Sequence, residues 1–250
     1  MSDERLFAYL LAGLFGGVAL FVYGFVLRQR RKTIESIPTS KVRSMAMGLV
    51  ELSGKAAPAG ATFPSPFACA ECVYYRYHVE ERVSSGRREY WRTLARGESP
   101  GPFCLEDETG RVLVRPGGAD LNLDVDRQYS TGLLGENSAE FGAGLERLGI
   151  GRAAWGFSRT LRCSETYISP GDPIFVLGTA SQDPSKAMTA RGDDCLMISS
   201  GGSGAYFCIS DKSEKDLLAS FALKMYACLY GGPALTVGCL YLLIERYWRT

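Results

Sequence analysis

The sequence predicts a membrane protein in which two transmembrane helices flank a mainly antiparallel, β-barrel-like α+β soluble domain. Two observations support this fold class. One long apolar run lies near each terminus, and the middle of the chain alternates apolar and polar residues over short segments that are separated by Gly- and Pro-containing turns. We place the helices at 6–27 and 223–244 and the soluble domain at 33–215.

The first apolar run, Leu6–Leu27, contains no charged residue. At about 1.5 Å rise per residue, it is long enough to cross a hydrocarbon core of roughly 30 Å. A cleaved signal peptide is the alternative, but its apolar core is shorter, and here the basic segment Arg28–Lys32 follows at once. We therefore predict an uncleaved anchor.

The second apolar run, Leu223–Ile244, has one charge, Lys224, at its start, where a long side chain can reach the headgroups. Aromatic residues lie toward its two ends, as interfacial aromatics do in membrane helices: Tyr226, Tyr230, Tyr241, Tyr247 and Trp248. Pro233 predicts a bend, which a membrane helix tolerates. A buried core helix is the less favoured alternative.

Both runs carry small residues at helical spacing, which permit close approach of two backbones. In the first run these are Gly13, Gly17 and Gly24, and in the second Ala227, Gly231, Ala234 and Gly238. We expect the two helices of one chain to pack on each other. A homo-oligomer that packs through Gly13, Gly17, Gly231 and Gly238 is the alternative.

The charge balance excludes one class of partner. The formal net charge is +1, and no Lys/Arg-rich run occurs outside the segment beside the first span. The soluble part therefore lacks the basic surface with which proteins bind the phosphates of nucleic acids. The expected partners are the lipid bilayer and a protein of unknown identity. Two of the eight cysteines lie in the second span and the others are scattered, which does not indicate a disulfide framework.

Local patterns predict the elements of the domain. Predicted strands, several joined as hairpins, lie at 47–52, 72–83, 89–96, 103–107, 112–115, 159–168 and 172–180, with a further hairpin of 196–199 and 205–210. A helical turn is predicted at 39–43, helices at 139–148 and 213–223, and loops at 56–66 and 181–194. The near-repeat of VELSGKA and FVLGTA raises the option of two small barrel-like halves.

No motif in the soluble part predicts a reaction. Cys69 and Cys72 form half of a zinc site, but tetrahedral structural zinc needs two more ligands, and no second pair is present. His78 is the one histidine, and no nucleophile motif accompanies it. The weaker candidates are interpreted as turns or solvated surface: Gly201–Gly204, Gly149 with Gly151, Glu80 with Glu81, and Asp193 with Asp194. We predict no catalytic residue, no cofactor and no metal ligand.

Four strings, in order between the two spans, carry a family resemblance: IPTSKVRSMAMGLVELSGKA, SPFACAECVYYRYHVEE, DPIFVLGTA and YFCISDKSEKDLL. Together they resemble the GIDE, or beside-a-membrane, domain of the mitochondrial ubiquitin ligase activator family. The most specific pieces are Pro38–Lys41, Cys72–Arg76, Pro170–Pro173 with Gly178, and Ile209–Ser210 with Ser213–Leu217. The resemblance implies two membrane helices around one β-rich domain.

In eukaryotic members of this family, a zinc-binding RING that performs ubiquitin transfer follows the second helix. Glu245–Thr250 contains no Cys or His, so we expect a RING-less, prokaryotic-type relative. The expected function is a membrane-anchored interaction or sensing module without catalytic activity of its own. One alternative is a component of a ubiquitin-ligase-like (E3) system that lacks its own RING. Another is a membrane-tethered barrel that binds a small ligand.

Two signals about membrane sidedness disagree. Mitochondrial relatives place this domain in the intermembrane space, so the resemblance points away from the cytosol. The basic residues near the first span point the other way, because six lie on the domain side, against Arg5 alone on the other: Arg28, Arg30, Arg31, Lys32, Lys41 and Arg43. For a prokaryotic host, we predict a cytoplasmic domain.

Overall fold

The computed structural model describes residues 3–85, 88–99, 101–130, 139–150, 160–183, 196–202, 205–212 and 214–247. The chain divides into two compact units. One consists of Met1–Pro38 and Ser213–Thr250, and the other of Thr39–Lys212.

The first unit contains two long helices, α1 (Asp3–Glu35) and α3 (Glu214–Tyr247). Both are long and apolar enough to cross a membrane. Of the residues in the most apolar stretch of each helix, only 17% are buried in α1 and 6% in α3. The core helix of a soluble protein is mostly buried. The prediction of a helix at 213–223 that continues into the second apolar run is confirmed from Glu214 onward, residue 213 lying outside the described residues, and α3 continues through Pro233.

The helices pack antiparallel through glycines of α1. A Cβ atom at Gly17 would lie 2.7 Å from the carbonyl oxygen of Gly232 and 2.9 Å from the backbone nitrogen of Thr236. A Cβ atom at Gly24 would lie 2.9 Å from Leu229, and one at Gly13 would lie 2.6 Å from the Sγ of Cys239. The predicted packing of the two helices on each other, through Gly13, Gly17 and Gly24, is therefore confirmed.

The predicted face of α3 is wrong. Its four small residues, Ala227, Gly231, Ala234 and Gly238, are all exposed, and α1 instead contacts Gly232 and its neighbours. Small residues occupy two adjacent faces of α3, because Gly231 and Gly232 are consecutive. Spacing alone does not show which face meets α1.

The second unit contains the β domain and one helix, α2 (Ala139–Arg147). Its described strands are β1 (Thr39–Ser40), β2 (Gly48–Pro58), β3 (Phe63–Pro64), β4 (Glu71–Cys72), β5 (Tyr74–Ser85), β6 (Arg88–Glu98), β7 (Phe103–Glu106), β8 (Arg111–Val114), β9 (Asp120–Asn122), β10 (Arg127–Ser130), β11 (Leu161–Ile168), β12 (Pro173–Gln182), β13 (Leu196–Ser199) and β14 (Cys208–Ser210). The predicted hairpins β5–β6 and β7–β8 and the helix at 139–148 are confirmed.

Five strands close into a barrel in the order β2-β7-β8-β13-β12, and β12 pairs with β2 to complete the circle. The interior is filled by apolar side chains that are at most 4% exposed: Val50, Leu52, Phe103, Leu105, Val112, Val114, Ile174, Val176 and Ile198. At Gly178, a Cβ atom would lie 2.6 Å from Ile198, so the interior has no room for a side chain there. The barrel is thus a packed core.

Three predictions about this region are wrong. The repeated strings VELSGKA and FVLGTA lie in β2 and β12, which pair with each other in one barrel instead of forming two halves. The segments 196–199 and 205–210 do not form a hairpin, because β13 and β14 each pair with β12. The segment 56–66 is not a continuous loop. Its first residues belong to β2, which extends to Pro58 and pairs with β7, and Phe63–Pro64 within it form β3.

Two predicted segments are corrected in part. The helical turn at 39–43 is β1 followed by a 3₁₀ turn at Val42–Ser44. The predicted loop at 181–194 begins with the end of β12 and a buried Asp183, and its remainder lies outside the described residues.

A second sheet has the order β10-β11-β5-β6, with a bulge in β6 opposite Val79 and Glu80. One face packs against α2 through a core that includes Val79, Leu161, Phe141 and Leu145. Because side chains alternate along a strand, the opposite face carries the intervening polar residues of β5 and β11. We call this opposite face the polar face.

The carboxylate of Asp107 fixes the β7–β8 turn to the 3₁₀ turn. Its Oδ1 accepts hydrogen bonds from the backbone N–H groups of Thr109 and Gly110 and from the Thr109 hydroxyl, and its Oδ2 accepts one from the Val42 N–H. Burial alone would raise the pKa of Asp107, but these hydrogen bonds outweigh it and lower the pKa below the ordinary value of 3.8.

Asp107→Ala should lower the free energy of unfolding by about 2–4 kcal/mol, because several partly buried donors lose a charged acceptor at once. The folded-state pKa of Asp107 is depressed, so its contribution is complete above about pH 3.8 and is lost as the pH falls through the folded-state pKa. Urea unfolding of both proteins should therefore differ at neutral pH and converge in strong acid. Glu108→Ala, which removes an exposed partner of Lys41, is the control, and it should cost much less stability because water and salt screen an exposed ion pair.

Candidate functional site

The cysteine pair lies in a tight turn that precedes β5. Cys69 is exposed and has a positive φ of 53°, whereas Cys72 is fully buried. The Cys69 N–H donates to the Ser65 carbonyl, and the Ser65 hydroxyl accepts from the Ala70 N–H. The turn therefore separates the two sulfur atoms into different environments.

A buried carboxylate holds this turn against the second sheet. The Oε1 of Glu165 accepts the Phe67 N–H and its Oε2 accepts the Ala68 N–H, each at 2.9 Å, and Glu165 is fully buried. Glu165 is not among the residues predicted from the sequence. The signal was present, because Leu161, Cys163 and Glu165 alternate on one face of β11 and place a carboxylate in an apolar row.

Two buried thiols lie near this carboxylate. Burial, reinforced by the negative charge of Glu165, raises the pKa of Cys72 to about 12 and that of Cys163 to about 12. Both thiols are therefore protonated at neutral pH, and a metal ligand or nucleophile must be a thiolate. Within the described parts of the chain, no group of three or more His, Cys, Asp and Glu residues could hold a metal ion.

These environments predict unequal reactivity toward iodoacetamide. In the folded protein at neutral pH, we expect Cys69 to be alkylated at least about tenfold faster than Cys72 or Cys163, because it is exposed and they are buried and protonated. Peptide mass spectrometry over a time course measures the three rates. In urea they should become similar, and equal rates in the native protein would contradict the assignment.

The lone histidine, His78, lies on the polar face, opposite Ser164 of β11. The Nε2 of His78 is 3.0 Å from the Thr93 hydroxyl. Among the residues that the structure describes, no carboxylate is hydrogen-bonded to its other ring nitrogen, so the arrangement of a catalytic triad is not formed. Within the described residues, Cys69, Cys72 and His78 do not form a group that could hold a metal ion.

The centre of the polar face is an arginine that is held against a tryptophan. Arg162 donates to the Oε2 of Glu80 at 2.5 Å, and its guanidinium lies 4.1 Å from the centre of the Trp91 ring. This hydrogen bond lowers the pKa of Glu80 and keeps the carboxylate ionised. Trp91 is 37% exposed, so an ordered Arg–Trp pair faces solvent.

Cross-strand ion pairs surround this centre. Glu98 accepts the Tyr74 hydroxyl at 2.8 Å and pairs with Arg76 at 3.2 Å, and Arg82 lies 3.7 Å from Glu89. Arg96, beside His78 in the β5–β6 register, is exposed. The face is therefore ordered, charged and open.

The remaining candidates have structural roles or fall outside the described residues. Glu80 is on the polar face, but Glu81 is buried and paired with Arg92 at 2.7 Å, so its prediction as solvated surface is wrong. Gly149 follows α2 with a φ of 72°, and Gly201 has a φ of 62°. Gly151, Ser203, Gly204, Asp193 and Asp194 lie outside the described residues.

In a comparison with protein families, the chain matches a family model described as GIDE, E3 Ubiquitin ligase, over residues 73–243. This stretch includes β5 to β14 and most of α3. Comparisons with curated proteins and with solved structures give no match. Because the model matches more than half of the sequence, the chain belongs to the GIDE family.

Proposed function

We propose that this protein is a membrane-anchored interaction module without catalytic activity of its own, and that it binds a partner protein through the polar face of its second sheet. The Arg162–Trp91 pair carries this proposal. Tryptophan and arginine are among the residues enriched at the energetic centres of protein interfaces, and here both are exposed and in contact with each other.

The side chains of the polar face define the chemistry of the partner. Four arginines lie on it, against three glutamates, each of which pairs with one of these arginines: Arg76, Arg82, Arg96 and Arg162, with Glu80, Glu89 and Glu98. Among the described residues of the polar face, Arg96 is therefore the arginine that does not pair with one of these glutamates and remains for a partner. We expect an acidic protein surface that places a carboxylate on Arg96 and an apolar side chain on Trp91.

Two other hypotheses for the function, a barrel that binds a small ligand and an enzyme, have less support. A small-ligand barrel needs an internal cavity, and the interior of the five-stranded barrel is filled. Catalysis needs an activated nucleophile or a metal, and the two buried thiols near Glu165 are protonated. Membrane anchoring is supported by two long apolar helices whose side chains are largely exposed.

Site-specific photo-cross-linking in membranes of the host tests the interaction. A benzophenone amino acid at position 93, which is exposed on the polar face opposite Glu80, should give a discrete adduct with one protein, and Trp91→Ala should lower its yield at least about fivefold. The same amino acid at position 43, which is exposed in the 3₁₀ turn, is the control. Equal adducts from both positions, or an adduct that does not depend on Trp91, would contradict the proposal.

The chain belongs to a family described as E3 ubiquitin ligase, and this favours a second candidate function. The chain would be the anchoring subunit of an E3-like system and would obtain its catalytic domain from a separate chain. Purified protein with E1, E2 and ubiquitin should then form no ubiquitin conjugates alone but should form them once the cross-linked partner is added. Conjugation by the chain alone would refute both candidates.

We further propose that the β domain faces the cytosol in a prokaryotic host, on the strength of the basic residues beside α1. The test uses a variant of the protein from which the native cysteines have been removed, expressed in intact cells. A membrane-impermeant maleimide should label Arg5→Cys in this background, but it should label Glu108→Cys only after the membrane is permeabilised. Both positions are exposed, so accessibility of the side chain is matched. Labelling of position 108 in intact cells would place the domain outside.

A further inference from the structure

One end of the helix pair combines cations from both helices. Arg28, Arg30, Arg31 and Lys32 lie on α1, and Lys224 lies on α3. Gly24 faces Leu229 where the helices touch. Since the helices are antiparallel and rise about 1.5 Å per residue, Arg28 and Lys224 lie at nearly the same height, roughly 6–8 Å beyond that contact.

Two of these cations share a face above an apolar surface. Arg28 and Lys32 are one helical turn apart, are both exposed, and make no ion pair with a described residue. Phe25 and Phe21 precede Arg28 by three and seven residues, so they lie on the same face. Their rings contact edge-to-face at 5.1 Å, and they are 48% and 37% exposed.

A tyrosine from α3 borders the cations. Tyr226 is half exposed, and its ring stacks on Tyr230 with the ring centres 6.1 Å apart. Arg31 pairs with Glu35 at 2.7 Å and also interacts electrostatically with Tyr226. Arg31 thus connects the two helices at this height. Because Glu35 neutralises Arg31 and not Arg28 or Lys32, the charges of Arg28 and Lys32 can attract a ligand.

We propose that Arg28, Lys32 and Tyr226 bind the headgroup of an anionic glycerophospholipid whose acyl chain lies along Phe25 and Phe21. The guanidinium and ammonium groups would contact the phosphate, and the phenol would donate a hydrogen bond at the headgroup level. The apolar surface directly beneath the cations favours a lipid over free phosphate. This inference rests on the proposed membrane anchoring.

Native mass spectrometry of the full chain tests this site. Purified protein in an uncharged detergent receives equal amounts of dioleoyl phosphatidylglycerol and dioleoyl phosphatidylcholine, and the ratio of bound lipids is measured. Wild-type protein should prefer phosphatidylglycerol, and Arg28→Gln with Lys32→Gln should lower this preference roughly 10- to 30-fold, because each cation near the headgroups contributes about a fivefold factor. Tyr226→Phe should lower it less, by about two- to fivefold.

Arg5→Gln with Lys215→Gln is the matched control, because it removes two exposed cations outside this cluster. An unchanged preference in the Arg28/Lys32 variant, or an equal fall in the control, would overturn the proposal. Displacement of bound lipid by millimolar inorganic phosphate would show an anion site without lipid specificity and would also overturn it. All variants should float with neutral phosphatidylcholine vesicles after an alkaline wash. Failure of the wild-type protein to float would instead refute membrane anchoring.

Discussion

Glu165→Ala should lower the free energy of unfolding of the β domain by about 3–5 kcal/mol, one of the two largest effects that we expect in this protein. The substitution leaves the Phe67 and Ala68 N–H groups without their acceptor beside a buried apolar cluster. It also releases the Phe67 ring, which packs against Tyr77 and Phe141. Urea unfolding followed by circular dichroism measures the loss.

Two comparisons make this prediction specific. Glu165→Gln keeps one acceptor but turns an amide donor toward a backbone N–H, so roughly half of the loss should remain. Glu106→Ala removes an exposed carboxylate that pairs with Arg111 and should cost less than about 1 kcal/mol. Similar losses for Glu165→Ala and Glu106→Ala would show that the turn does not depend on the buried carboxylate.

Gly17→Leu should disrupt the packing of α1 on α3. The atoms that a side chain at position 17 would meet first include the Gly232 carbonyl and the Thr236 backbone nitrogen, which cannot move without moving the helix. Helices without close packing lose most of their mutual dispersion contacts, and in a membrane these drive association. We expect the thermal unfolding midpoint of the full chain in detergent to fall by about 10 °C or more.

A disulfide reports this packing directly. Gly13→Cys places a thiol beside Cys239, so mild oxidation should cross-link α1 to α3 in high yield. Adding Gly17→Leu should reduce the yield to near background. Gly16→Leu is the control, because a Cβ atom at Gly16 meets no atom within 4 Å, and it should leave cross-linking unchanged. Equal yields with both leucines would mean that the glycine contact does not hold the helices.

Local features could be predicted because local residues determine them. The β5–β6 and β7–β8 hairpins follow from alternating strands around a polar turn, and the turn at Asp107–Gly110 is fixed by one carboxylate. The long helices follow from uninterrupted apolar runs. Spacing identified the glycines of α1 that meet α3, but on α3 it pointed to Gly231, whereas Gly232 makes the contact.

Pairings between distant segments could not be predicted in the same way. β8 pairs in parallel with β13, and β9 with β14, and nothing in their short strand patterns specifies a partner. The candidate sites show the same limit. The Arg162–Trp91 pair joins β11 to β6 across β5, so it exists only once the register of three strands is set.

Closure of the barrel has a consequence for synthesis of the chain. Val50 in β2 pairs with Gly178 in β12, roughly 130 residues later, and β8 needs β13 to complete its pairing. At about 5–20 residues per second, a ribosome leaves β2 without this partner for roughly 6–26 s. During that interval the β5–β6 and β7–β8 hairpins have all their residues, whereas the barrel does not. A nascent chain that stalls before Leu196 would expose the apolar side chains of an open sheet to chaperones and proteases.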